Sequence, residues 1–115
     1  MPSATHALFL KAMREERPIA CIYQGHERLI CPIMLGRTGL EEKALVFQHG
    51  GATSKGPVTK PDWKCFRLAE VEGAALAEGK WRAGTQHSEA QHCVKMVEYD
   101  VNPNSPYSPV FKLHD

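Results

Sequence analysis

The stretch VFQHGGATSKGP, residues 46–57, has the composition of a loop that could hold a phosphate group. A P-loop needs the pattern GxxxxGK[ST] between a strand and a helix. Gly51 and Gly56 have the glycine spacing, but Lys55 precedes the second glycine and Pro57 follows it. Exposed backbone amides together with Lys55 could still cradle a phosphate. The competing interpretation is a flexible connection between strands, which is favoured because glycine is common in such loops.

The stretch HSEAQHC places His87, His92 and Cys93 close together in the chain. Imidazole and thiolate are ligands that zinc prefers, and Cys93 with His87 as its base would be a candidate nucleophile. The spacing matches neither a zinc finger nor a catalytic signature. A structural role is therefore favoured, and the sequence predicts no catalytic residue, no metal site and no cofactor.

A third group of residues combines positive charge with aromatic rings. In small barrels, aromatic faces stack on bases and cations bind phosphates, which is how such folds hold single strands. The expected ligand-binding residues are Tyr23, Arg28, His49, Lys55, Trp63 and Arg67, with Lys43, Lys60 and Lys64 as further cations. The alternative is an ordinary solvated surface above aromatic residues of the core.

Length and composition limit these possibilities. The chain has 115 residues, of which 43% are hydrophobic and 23% charged, as expected for one globular domain. A formal net charge of +1 is too small for nucleic-acid binding through bulk charge, so such binding needs a local patch. The N-terminal apolar run is too short for a signal peptide, and no stretch approaches a membrane span.

The cysteine pattern gives no sign of a metal-binding or redox motif. The four cysteines are Cys21, Cys31, Cys65 and Cys93, and none of them stands in a CxxC motif. We expect a cytoplasmic protein, in which these cysteines are reduced. A chain of this size needs neither a disulfide nor a metal ion to fold.

The N-terminal residues predict a short helix over residues 5–16. Ser3 or Thr5 can cap its first turn, because a side-chain oxygen accepts a hydrogen bond from an unpaired amide there. Pro18 stops the helix. Phe9 is expected to help close the open side of the barrel that follows.

Alternating polarity predicts five short strands after the helix. They are expected at residues 19–23, 28–35, 43–50, 63–68 and 92–101. Pro32 indicates an edge or a bulge, since proline cannot donate to a ladder. Residues 36–39 are expected to form a turn and residues 51–62 a long loop, while residues 69–77 fit either a strand or a helical turn. The predicted fold is mainly β: a small Sm/SH3-like antiparallel barrel over residues 5–101, with a short N-terminal helix.

The proline-rich tail, residues 102–115, is expected to be extended or disordered. Alternatively, the tail could dock on the barrel through its apolar residues. These residues are Tyr107, Val110, Phe111 and Leu113.

Three stretches resemble the WYL domain, a small barrel of the Sm and SH3-like type: IACIYQGHERLICPIML, KALVFQHGG and WKCFRLAEVEG. Tyr23, Arg28 and Pro32 fit the family's tyrosine-containing strand and the basic, apolar strand after it. Leu45 matches the last of the three residues that name the family, and lysine and alanine stand where its tryptophan and tyrosine would be. CFRLAEV, residues 65–71, matches a later strand, and the resemblance extends over residues 19–76 in all.

The resemblance implies a regulatory or ligand-sensing module. WYL domains are thought to bind nucleotides or single-stranded nucleic acid, and they usually follow a DNA-binding winged helix, for which this chain has no room. We therefore expect a stand-alone module for a nucleotide-type ligand or single-stranded nucleic acid, with no membrane partner. The alternative is a protein-interaction module without a small ligand, because small barrels expose edge strands that a partner strand can join.

The most specific prediction concerns the partner of the Arg67 side chain. It shares a face of its strand with Trp63 and Cys65, because side chains alternate along a strand. If Trp63 packs inward, Arg67 is drawn to the barrel interior or its rim, where a charge needs a partner. That partner is expected to be a carboxylate such as Glu70 or Glu98, a ring of carbonyls, or an anionic ligand.

Overall fold

One helix and a curled antiparallel sheet form the protein, in a computed structural model that describes residues 2–86 and 90–114. Helix α1, Ala4–Glu15, begins after Ser3, whose hydroxyl accepts a hydrogen bond from the His6 amide at 3.1 Å. The helix ends at Glu16, which has a left-handed φ of 51°. Phe9 on α1 is fully buried, so the helix covers one side of the sheet as predicted.

The strands follow the helix in chain order. Their bounds are β1 Ile19–Tyr23, β2 His26–Thr38, β3 Glu41–Thr53, β4 Gly56–Pro57, β5 Asp62–Arg67, β6 Val71–Leu76 and β7 Met96–Asp100. The sheet has the order β4-β3-β2-β1-β6, while β5 also pairs with β3 and β7 with β2. A single 3-10 turn, Leu68–Glu70, leads from β5 to β6. The predicted fold class is confirmed: the antiparallel sheet curls into a half-barrel behind a short N-terminal helix.

The β1–β2 hairpin agrees closely with its prediction. Gln24 and Gly25 form its two-residue turn with φ angles of 52° and 79°, as the tight turns that suit sheet twist require. Ile19, Cys21 and Tyr23 are buried on one face of β1, and the residues between them are more exposed. The apolar face of β1 therefore points into the core.

Strand β2 is the central strand and is longer than predicted. The register against β3 shifts after Pro32, which confirms the bulge expected there. Gly36 lies within β2 rather than in a turn. A glycine is needed there because β7 passes so close that a side chain would collide with the Met96 carbonyl. The expected turn at residues 36–39 is therefore wrong, and the turn lies at Gly39 and Leu40.

The expected long loop at residues 51–62 is also shorter in the structure. Strand β3 continues to Thr53 and returns as the two-residue strand β4. Gly51 belongs to the ladder with a φ of 81°, and a side chain there would meet the Glu27 carbonyl. Glycine at this position thus permits close approach of β2 and β3. A sequence pattern does not distinguish a glycine of this kind from one in a mobile loop.

The C-terminal tail docks on the barrel, which was the second possibility for it. The amides of Val110 and Phe111 donate to the carbonyls of Val97 and Glu98 at 3.0 Å and 2.9 Å. The Phe111 ring stacks on Tyr99 with 5.3 Å between centroids. The tail therefore runs back along β7.

No helix in residues 2–86 and 90–114 is long and apolar enough to cross a membrane.

The packing of α1 gives a stability prediction. Phe9→Ala should lower the free energy of unfolding by about 3–5 kcal/mol, because it leaves a cavity where the helix meets the sheet. Leu40→Ala is the control, since Leu40 is 97% exposed and its removal should change stability by less than about 0.5 kcal/mol. Urea denaturation measures both. Equal stability of the two variants would show that α1 does not contribute to the core.

Candidate functional site

Arg28 in β2 is a buried charged residue, with only 6% of its surface exposed. Its Nη1 donates to Gln48 Oε1 and its Nη2 to the Tyr23 carbonyl, both at 3.2 Å. Its Nε has no hydrogen-bond partner among the described residues. No carboxylate of those residues forms an ion pair with it. The guanidinium is therefore held by neutral groups alone.

Aromatic rings form the other side of the Arg28 environment. Tyr23 and Phe66 stack almost parallel with 3.9 Å between ring centroids. The Arg28 Cζ lies 5.3 Å from the Tyr23 centroid and 5.5 Å from the Phe66 centroid, within the range of cation–π attraction. The Tyr23 hydroxyl accepts a hydrogen bond from the Arg67 amide at 3.0 Å, which ties β1 to β5.

Gln48 is the third residue that holds the Arg28 guanidinium, and the sequence did not predict this role. It is fully buried, and its Nε2 donates to the carbonyls of Gly50 and Ala52 at 3.0 Å and 3.2 Å. These bonds fix the amide so that its oxygen faces Arg28. A glutamine inside an apolar strand was the only sequence signal for this role, and it does not identify a partner.

A groove of about 210 Å³ opens beside this cluster. Its lining residues are Tyr23, Gln24, Arg28, Thr53, Ser54, Lys55, Lys64, Cys65 and Phe66. Three of them are cationic and none is acidic. The β3–β4 hairpin supplies Lys55, and β5 supplies Lys64 on the same inward side as Phe66. We call this set the Arg28 groove.

Local electrostatics favour an anion in the Arg28 groove. Lys64 has an acidic neighbour, Asp62, at 3.7 Å, but the Lys64 and Asp62 side chains are 35% and 67% exposed, and solvent-screened pairs of this kind contribute little. Burial raises the pKa of Cys21 to about 11, although nearby Arg28 acts in the opposite direction. Cys21 therefore stays a neutral thiol, and the positive charge of Arg28 is not cancelled from that side.

Three of the six predicted ligand-binding residues, Tyr23, Arg28 and Lys55, meet in the Arg28 groove, and the other three lie elsewhere. Trp63 packs on Phe47 with 5.1 Å between centroids, on the opposite face of the sheet from Phe66. Arg67 is not drawn inward by Trp63, because the face that β5 buries is the one that carries Phe66. Tyr23 is itself buried, so its ring is not offered to a base.

Arg67 lies on the outer side of β5 with 58% of its side chain exposed. Its Nε is 3.6 Å from a carboxylate oxygen of Glu41 and 3.9 Å from one of Glu70. Of the three kinds of partner named for Arg67, the structure shows the carboxylate, from Glu41 and Glu70. Two acidic neighbours leave Arg67 poorly suited to an anionic ligand.

The disulfide between Cys65 and Cys93 corrects the expectation of four reduced cysteines. Their Cα atoms are 5.5 Å apart, although 28 residues separate them in the chain. Spacing rules for cysteine motifs detect only local pairs, so they miss two residues that folding brings together. Cys93 is consequently neither a free nucleophile nor a metal ligand in this state, and His87 lies outside the described residues.

Comparisons of the chain with models of protein families, with curated proteins and with solved structures gave no match. The likeness to WYL domains therefore stays a prediction that rests on three short stretches. The class that the structure itself defines is a small curled barrel with a cationic groove.

His49 gives a prediction about pH. Burial lowers its pKa from the usual 6.5, and the charge of Arg82 lowers it further. The unfolded chain thus binds a proton that the folded protein resists, so stability falls as the pH drops below about 6.5. His49→Gln should lose less stability than the wild type between about pH 7.5 and pH 5.5, measured by urea denaturation. An identical loss in both proteins would contradict this assignment.

Proposed function

We propose that the protein binds a nucleotide-type ligand through its phosphate groups in the Arg28 groove. The observation that carries the proposal is a buried arginine whose charge no carboxylate balances in the described part of the chain. Taking a charge out of water is costly unless an opposite charge or hydrogen bonds replace the water. An anion in the groove would supply the missing charge and a partner for Nε.

Phosphate suits this environment better than a single carboxylate. The guanidinium is planar and offers parallel N–H groups that match two oxygens of a phosphate. Lys55 and Lys64 border the same groove and add point charges for further oxygens. A ligand with several phosphate groups, such as a nucleoside triphosphate, would use all three cations.

A nucleotide is preferred over a long single strand because of the aromatic residues. Non-specific binding of single strands relies on rings that stack on successive bases. Tyr23 and Phe66, the aromatic residues of the Arg28 groove, are buried and stacked on each other. The groove thus offers phosphate contacts and hydrogen bonds from Gln24, Thr53 and Ser54, with no exposed stacking surface.

A protein-interaction function is the second candidate, and a different surface favours it. Ile22 and Leu29 are large apolar side chains that are 39% and 37% exposed. They border a groove of about 450 Å³ between β1, β2 and β6. This candidate predicts complexes that do not depend on Lys55 or Lys64.

The test of the proposed function is calorimetric binding of ATP, with adenosine as the phosphate-free comparison. The wild type should bind ATP and not adenosine, and affinity should fall between about 50 mM and 200 mM salt. The double variant Lys55→Ala/Lys64→Ala should bind ATP about tenfold or more weakly, because it loses two charged contacts. Arg28→Lys keeps the charge without the planar fork and should also weaken binding.

The matched control is Lys11→Ala/Lys80→Ala, which removes the same charge from exposed positions outside the Arg28 groove. It should bind ATP within about twofold of the wild type. A poly-dT oligonucleotide that binds much more tightly than ATP would favour the single-strand alternative. Absence of ATP binding at low salt, or equal losses in the two double variants, would end the proposal.

A further inference from the structure

The Cys65–Cys93 disulfide joins two unlike parts of the molecule. Cys65 is an exposed residue in β5, a strand that pairs with β3. Cys93 is 7% exposed and belongs to the segment 77–95 that connects β6 to β7. In its described residues, 77–86 and 90–95, this segment contains no helix or strand. The crosslink is thus the covalent tie between an irregular segment and the sheet.

Described residues of this segment cover part of one face of the sheet, where Trp81 and Ala83 pack against the core. Backbone groups of Arg82 and Ala83 lie against the sulfur of Cys31, which is fully buried in β2. Burial raises the pKa of the Cys31 thiol, and these backbone contacts act in the opposite direction. Arg82 also lies close enough to His49 to lower its pKa. Opening the segment would therefore expose Cys31.

Hydrogen bonds also hold the described end of this segment, residues 90–95. Thr38 in β2 donates its hydroxyl to the Cys93 carbonyl at 2.9 Å and accepts a hydrogen bond from the Lys95 amide at 3.2 Å. The Gln91 amide donates to the Tyr107 hydroxyl at 3.1 Å. These neutral hydrogen bonds are individually weak, so the disulfide is the strongest single constraint on the segment.

We propose that Cys65–Cys93 is a reversible thiol–disulfide exchange site whose reduction releases the described residues of this segment, 77–86 and 90–95, from the sheet. The substrate class is a dithiol reductant, either a protein or a small molecule. The inference does not rest on the proposed nucleotide binding, and its test does not measure that binding.

The exchange begins at Cys65, the more exposed of the two cysteines. A thiolate of the dithiol attacks Cys65, the Cys65–Cys93 bond breaks, and Cys93 leaves as a thiolate that takes up a proton. The second thiol of the reductant, as its thiolate, then attacks the mixed disulfide, forms the reductant's own disulfide and releases Cys65, which is also protonated. Two electrons and two protons pass from the dithiol to the protein.

The reduced state is accommodated without an unpaired group at Cys93. Its sulfur lies 3.4 Å from the Ala44 carbonyl, so the thiol has an acceptor as soon as it forms. Cys65 is exposed, and water can hydrogen-bond its thiol. Because both thiols find partners, the reduced protein should stay folded and the bond should re-form.

The experiment counts and localises thiols by mass spectrometry. Folded protein is treated with dithiothreitol or left untreated, then denatured and alkylated with N-ethylmaleimide. Two alkylated cysteines are expected before reduction, Cys21 and Cys31, and all four after it. Oxidised dithiothreitol should restore the first result. Four alkylated cysteines in untreated protein purified under air would overturn the proposal.

A second measurement tests release of the segment. In folded protein, Cys31 should react with iodoacetamide about tenfold or more faster after reduction, and the variant Cys65→Ser/Cys93→Ser should behave like the reduced wild type. Cys21 is the internal control: it is also buried, beside Arg28, and its rate should not change. An unchanged Cys31 rate, or equal acceleration of Cys21, would overturn release of the segment, since the latter would indicate general unfolding.

Discussion

The burial of the Arg28 guanidinium constrains most of this barrel. A charged side chain that is only 6% exposed needs other groups in place of the water it has lost, and here three neighbouring strands supply them. Tyr23 supplies a carbonyl from β1, Gln48 an amide from β3, and Phe66 a ring from β5, while β2 carries the arginine itself. Removing any one of them leaves a buried charge with fewer partners, which is among the costlier defects a fold can carry.

Strand β3 runs directly beside Arg28. Gly51 pairs with Arg28 across the ladder, and the close approach of the two strands there leaves no space for a side chain. Beyond it, β3 continues into the β3–β4 hairpin and carries Lys55 to the mouth of the Arg28 groove. A buried arginine thus lies next to an exposed lysine, Lys55, and a half-buried one, Lys64, an arrangement that combines a planar fork held in place with a more mobile charge.

Sequence patterns predicted the elements better than their contacts. Alternation located the β1–β2 hairpin and its buried face, and proline located the bulge at Pro32, because both signals are local. Gly36 and Gly51 were misassigned to a turn and a loop, since their reason for being glycine is a neighbouring strand remote in sequence. The inward face of β5 could not be assigned for a similar reason: Trp63 and Phe66 are both apolar, and the stack with Tyr23 decides which of them is buried. Gln48 and the Cys65–Cys93 pair depend on such tertiary contacts as well.

The central claim is that the Arg28 side chain itself contacts an anionic ligand. The Nε–H resonance of Arg28, assigned in a nitrogen-15 spectrum by comparison with Arg28→Lys, reports this contact directly. Titration with ATP should move that resonance and slow its exchange with water, because Nε gains a phosphate oxygen as acceptor. If ATP shifts amide resonances of the β3–β4 hairpin while the Arg28 Nε–H stays unchanged, the lysines alone bind the anion and the account of the buried arginine is wrong.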